Sequence, residues 1–238
     1  MLLVTGYRSS MLRLLVGAGT VACAALAALS SPPEASALEP CGKAGYSYAG
    51  FRSANAGHGV RATLVPIAQP SVSDGHVAAW VGVGGAGEGP HGSDQWLQVG
   101  LAAFNGSGSR LYYEVTTGGA PPRYNEVVSE IAPGQRSRVA VLEMSKRPNW
   151  WRVWLNGKAV SRPIHMPGSS GRFHPIATAE TWDGGVRGCN RFSYRFGNLR
   201  VASSRGGCWK PFVRAQRFLD RGYRVTTVAD TSFVADVV

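Results

Sequence analysis

The sequence predicts an all-β fold, two antiparallel sheets packed face to face as a sandwich, on three observations. Apolar residues alternate at period two through most of the chain, the spacing of strands with one buried face. Thirty-one glycines and 14 prolines punctuate that alternation at short intervals. More than ten short strand candidates follow one another with almost no helical spacing between them, a pattern that closes into a sandwich or a barrel, and the sandwich is the expectation here.

In chain order the predicted strands are Gly45 to Phe51, Val60 to Pro66, His76 to Val83, Gln95 to Phe104, Arg110 to Thr117, Ser137 to Met144 and Trp150 to Leu155. Lys158 to His165, Pro175 to Trp182, Arg191 to Ala202 and Tyr223 to Val228 complete the set. Asn156-Gly157 between two of them is a hairpin signal, because a type I′ turn needs positive φ at both central residues. Pro133-Gly134 and Gly118-Gly119 mark further turns. Pro211 to Asp220 hints at a helix, through the spacing of Phe212, Ala215 and Leu219. A final strand or hairpin is expected in the tail from Trp209 to Val238. Gly84 to Asp94 reads as a glycine-rich loop carrying Glu88 and His91.

The first 37 residues read as a signal peptide. Arg8 and Arg13 precede and open an apolar run from Leu14 to Leu29, and Ala35-Ser36-Ala37 forms a small-residue cleavage site. A retained membrane helix is the weaker reading, because the run is short and holds Gly17, Gly19 and Thr20. Met11 offers an alternative start. Either start leaves one secreted domain from Leu38 to Val238, about 200 residues, long enough for a single well-buried core.

The chain carries 25 Lys and Arg against 14 Asp and Glu, a net charge of +11. Only four of the basic residues are lysine, and the arginines are scattered rather than blocked. Scatter of that kind accords with solubility, and also with attraction to acidic polymers. No nucleic-acid-binding motif is present, so nucleic acid is not an expected partner. Loss of the leader removes Cys23 and leaves Cys41, Cys189 and Cys208. In an oxidising compartment one disulfide and one free thiol follow. Three pairings are open, of which Cys41 to Cys189 is favoured. No Cys-x-x-Cys or His-Glu-x-x-His spacing occurs, so neither metal nor cofactor is expected. A Gly-x-Ser-x-Gly elbow is also missing.

Two strands carry candidate chemistry. In Asp94 to Leu101, alternation places Leu97, Val99 and Leu101 on one face, and Trp96, Gln98 and Gly100 on the other. In Ala177 to Trp182, Thr178, Glu180 and Trp182 share a face, opposite Ala177 and Ala179. A carboxylate between a threonine and an aromatic can serve as a general base; a solvated surface glutamate is the plainer reading of this strand alone. In Trp150 to Leu155, Trp151, Val153 and Leu155 form a core-like face, leaving Trp150 and Trp154 with Arg152 on the other as packing or as an aromatic platform.

Trp80-Val81-Gly82-Val83-Gly84-Gly85, a loop, Leu97-Gln98-Val99-Gly100-Leu101 and then Tyr112-Tyr113-Glu114 resemble the core of the glutamic peptidases, or eqolisins. That family shows Trp-Val-Gly-Ile-Asp-Gly, a loop, Leu-Gln-Thr-Gly-Val and Trp-Tyr-Glu-Trp, with its catalytic glutamate in an Ala-Glu-Trp context. Ala179-Glu180-Thr181-Trp182 is similar to the last, and the 82-residue gap from Gln98 to Glu180 is close to the family's. The resemblance runs from His76 to Trp182. Gly84 stands where the family has aspartate, the following loop is longer, and Thr181 separates Glu180 from Trp182.

The resemblance implies a concanavalin-like jelly-roll sandwich and a peptidase in which Glu180 activates a water while Gln98 stabilises the oxyanion. Trp80, Trp96, Tyr113, Glu114 and Trp182 would bind substrate around them. The expected ligand is a polypeptide; the alternative is a lectin-like module that binds polysaccharide or anionic surface polymers without catalysis. A monomer without a stable membrane anchor is expected in both.

Overall fold

The computed structural model describes residues 45–182 and 190–237 and shows two antiparallel sheets forming a sandwich. The chain supplies β1 (Tyr46–Ser53), β2 (Gly59–Pro66), β3 (His76–Gly85), β4 (Gln95–Phe104), β5 (Ser109–Thr116), β6 (Arg123–Ile131), β7 (Ser137–Glu143) and β8 (Trp150–Leu155). It continues through β9 (Lys158–Ala159), β10 (Ile164–His165), β11 (Ile176–Trp182), β12 (Ser193–Ser204), β13 (Gly207–Pro211), β14 (Arg214–Leu219), β15 (Tyr223–Ala229) and β16 (Ser232–Val237). The first sheet runs β14-β1-β11-β3-β4-β5-β6. The second runs β10-β8-β7-β2-β12-β16-β15, with β9 on β8 and β13 on β12. No helix among the described residues is long and apolar enough to cross a membrane.

Period-two alternation decides which side chains fill the space between the sheets. Val77, Ala79, Val81 and Val83 of β3 and Leu97, Val99, Leu101 and Ala103 of β4 are buried there, against Val60 and Leu64 of β2, Val139 and Val141 of β7 and Phe196 of β12. Trp151 and Val153 join them without residual exposure. Burial of a large apolar side chain contributes about 1.5–3 kcal/mol. The Trp151 indole N–H is satisfied by Ser169 Oγ at 2.8 Å, so its burial leaves no donor unpaired. The opposite faces of β3, β4 and β11 are thereby turned outward, away from the second sheet.

Turn chemistry agrees with the expected signals. Asn156 and Gly157 have φ of 49° and 85° between β8 and β9, and Gly118 and Gly119 have 62° and 73° between β5 and β6. The expected strand from Lys158 to His165 is two short pieces, β9 and β10, that both pair with β8.

The helix hinted at by Phe212, Ala215 and Leu219 is strand instead. β14 pairs with β1, Ala49 opposite Leu219 and Ser53 opposite Arg214. An edge strand with one neighbour and little cover shows no clean alternation, so three apolar residues at helical spacing arise by chance. The tail also forms the hairpin β15–β16, and β16 pairs with β12. Cys41 and Cys189, the expected disulfide, lie outside the described residues, as do the expected leader and its boundary with the domain at Leu38; Cys208 is an exposed free thiol.

Candidate active site

The outer face of the first sheet holds a cleft of about 920 Å³. Its floor follows from the strand register. Glu180 lies opposite Ala78, Thr178 opposite Trp80 and Ile176 opposite Gly82; Ala78, Trp80 and Gly82 in turn face Ala102, Gly100 and Gln98. Gln98 then faces Glu114, and Gly100 faces Tyr112. Three cross-strand rows result. Glu180 sits in the first, Trp80, Gly100 and Tyr112 in the second, Gln98 and Glu114 in the third.

Both candidate catalytic side chains lean toward the middle row. Glu180, 7% exposed, accepts a hydrogen bond from the Trp80 indole N–H at 2.9 Å and meets His76 Nε2 at 3.3 Å. Gln98, 8% exposed, donates from Nε2 to the Tyr112 hydroxyl at 3.1 Å. Buried polar groups need such partners, because an unpaired one costs about 1–3 kcal/mol. Between Trp80 and Tyr112 the middle row has glycine, Gly100, where β3 packs closely. A Cβ there would collide with the Ala79 carbonyl and lie 2.6 Å from Trp80 Cβ, so the floor admits no side chain.

The ionisable groups around the floor sense one another. The Tyr112 hydroxyl is raised well above its ordinary range by burial first and then by the charges of Glu180 and Glu114, while its bond from Gln98 works the other way. Burial and Glu180 raise Tyr48 and Tyr46 as well. Tyr124 is pushed up to about 12, chiefly by burial. These phenols keep their protons. Glu114 accepts from Trp96 Nε1 at 3.1 Å; burial raises its pKa, the Trp96 bond opposes this, Glu180 adds to it and His76 lowers it. Among the described residues no three His, Cys, Asp or Glu side chains converge as a metal site would.

The structure brings Gln98, Glu180, Trp80, Trp96 and Glu114 to this one cleft. Trp182 is on the same face but at the rim, 38% exposed, its ring 6.4 Å from Tyr46 and 5.9 Å from His76. Tyr113 is the exception. Since Gln98 faces Glu114 across β4 and β5, the residue before Glu114 points to the other side, and Tyr113 packs against the core between the sheets. Tyr112 takes the place expected of it, and the same alternation read back from Glu114 points to it.

Other lining residues carried no signal in the local sequence. Tyr46 and Tyr48 come from β1, His76 from the start of β3, Phe104 from the end of β4, Tyr124 from β6 and Phe218 from β14. Their rings form a continuous series across the sheet: Tyr46 with His76 at 5.9 Å, His76 with Phe104 at 5.9 Å, Phe104 with Tyr124 at 5.9 Å, and Tyr124 on Tyr112 at 4.9 Å. The loop before β4 is tied to β1 through Glu88 and Arg52 at 2.6 Å, and is braced internally by the Gly87 N–H, which donates to Asp94 at 2.9 Å.

No protein-family model matches the chain, and no curated protein matches it. Solved structures do. Scytalido-glutamic peptidase, crystallised with a peptide-based transition-state analogue, superposes with a TM-score of 0.56 at 16% identity, over 82% of this chain and 99% of that one. SCP-B, a member of the eqolisin family of peptidases in complex with the tripeptide Ala-Ile-His, does so with a TM-score of 0.51 at 18% identity, over 82% and 99%. At these identities the likeness is one of fold.

Proposed function

We propose that this protein is a secreted, glutamic-peptidase-like hydrolase that cleaves peptide bonds with the Gln98 and Glu180 pair. The observation that carries the reading is that both side chains line one cleft and are each held by a hydrogen bond to the same cross-strand row, Glu180 to Trp80 and Gln98 to Tyr112. The eqolisin-like fold and the motifs around the two residues support it. Secretion rests on the leader-like sequence before Leu38.

Glu180 takes a proton from a water as the water's oxygen attacks the peptide carbonyl carbon. The Trp80 N–H and His76 fix the carboxylate while it does so. Electron density moves to the carbonyl oxygen, where the second amide hydrogen of Gln98, the one not given to Tyr112, is the donor. A neutral amide stabilises that charge without titrating. The Tyr112 hydroxyl accepts from Gln98 and retains its own proton, which is free for the same oxygen. Collapse of the tetrahedral species breaks the C–N bond, and Glu180 returns the proton to the leaving amine. The aromatic series beside the floor offers apolar contact to the peptide's side chains.

The test is digestion of an unfolded protein by the purified chain from acid to neutral pH, beside Glu180→Gln and Gln98→Ala. Cleavage that disappears in both supports the pair. Cleavage that survives both overturns it, and a chain inert at every pH leaves the face as a binding surface.

A further inference from the structure

The outer face of the second sheet, on the far side of the molecule from the cleft, holds a groove of about 600 Å³. Its floor is Ala140 of β7. On one side Arg61 of β2 stands opposite Ala140, with Arg200 of β12 opposite Arg61; on the other Trp154 of β8 stands opposite Ala140. Arg138 and Trp209 complete the walls, and no aspartate or glutamate lines the groove.

The arrangement is costly for a chain with nothing to bind there. Like charges placed directly opposite on adjacent strands destabilise a sheet, and Arg61 and Arg200 are such a pair. Burial and then the Arg200 charge both make the Arg61 guanidinium harder to keep protonated. Among the described residues, Arg61, Arg138, Arg152 and Arg200 take part in no ion pair. The Trp154 Nε1 and the Arg152 Nε, neighbours on the same face of β8, are buried without a hydrogen-bond partner. Arg61 lies 4.7 Å over the Trp209 ring.

We propose that this groove binds an anionic polysaccharide, one bearing carboxylate or sulfate groups. The forks of Arg61, Arg138 and Arg200 match planar or tetrahedral oxyanions, and the Trp154 indole in the wall offers apolar cover to a sugar ring. Asn198, which donates to Thr63 Oγ1 at 3.5 Å, also lines the groove. The groove is a second site, independent of the hydrolase reading, and would hold the protein on an acidic polymer while the opposite cleft stays open.

The experiment is titration calorimetry of the purified protein at about 0.15 M salt with heparin, polygalacturonate, neutral dextran and a single-stranded oligonucleotide. Binding to heparin or polygalacturonate, with affinity reduced about tenfold or more in Arg61→Gln/Arg200→Gln and reduced also in Trp154→Ala, supports the site. The exposed pair Arg123→Ala/Arg136→Ala removes the same charge elsewhere and leaves the affinity unchanged. Equal loss in that control, equal binding of dextran, tighter binding of the oligonucleotide, or no binding of either polyanion overturns it. Unchanged melting temperature in the glutamine variants excludes misfolding as the cause of a loss.

Discussion

Tyr112 is the residue on which the proposed chemistry turns most delicately, since it holds Gln98 through one hydroxyl. Tyr112→Phe keeps the ring and its stacking on Tyr124 but frees the amide. The expected result is a fall in kcat of about ten- to hundredfold with KM within about twofold, the mark of an interaction made in the transition state. Glu114 gives a prediction of another kind. Its pKa is raised above the ordinary 4.5, so the folded protein keeps that proton over a range of pH in which the unfolded chain has lost it. The associated stability is complete below about 4.5 and is lost as pH rises through the folded-state value. Glu114→Gln, which still accepts from Trp96, should therefore lose less melting temperature than the native chain as pH is raised from about 3 to about 7. The neighbouring Tyr112 and Tyr113 show how residue-level reading succeeds or fails. Motif likeness pointed to Tyr113, while period two counted from Glu114 selects Tyr112, and the geometry follows the counting. His76 was legible to neither, because its role depends on β3 pairing directly with β11, the strand of Glu180.

At the scale of elements, strands buried on one face were readable and strands at edges were not. β4 spans Gln95–Phe104 as the alternation of Leu97, Val99 and Leu101 required. β6, at the sheet's edge, carries Arg123, Glu126, Ser129 and Glu130 among mostly exposed or half-buried positions, so no face of it reads as apolar. β16 was expected only as a final strand or hairpin somewhere in the tail, without bounds, and Phe233 within it is wholly buried, stacked on Phe196 at 4.4 Å and edge-on to Phe51 at 5.1 Å. Phe233→Ala should cost about 3–5 kcal/mol, measured by denaturant unfolding. A cost below about 1 kcal/mol would mean that the tail is an appendage rather than part of the core.

The whole molecule places two unlike surfaces back to back, an aromatic and acidic cleft on one sheet and an arginine groove on the other. Lacking shared residues, they should fail separately: Glu180→Gln should abolish cleavage with polyanion affinity unchanged, and Arg61→Gln/Arg200→Gln should do the reverse. Digestion and calorimetry on the same preparations check this, and coupled losses would speak against two sites. The net charge accorded with plain solubility as well as with an acidic partner, and arginines scattered in sequence gave no place for such a partner; β2, β7 and β12 gather three of them. Strand β1 is held by a partner from far along the chain. Its Tyr48 N–H donates to Asp220 at 2.8 Å, and the Asp220 N–H returns a bond to the Tyr48 carbonyl at 3.0 Å, across 172 residues of chain. A nascent chain presents β1 long before β14 exists. Closure over so long a loop comes late, and Phe218, part of the cleft wall, arrives with it. On the proposed function, the enzyme assembles its cutting edge as one of the last acts of its own synthesis, and a half-made copy has no complete cleft with which to cut its neighbours.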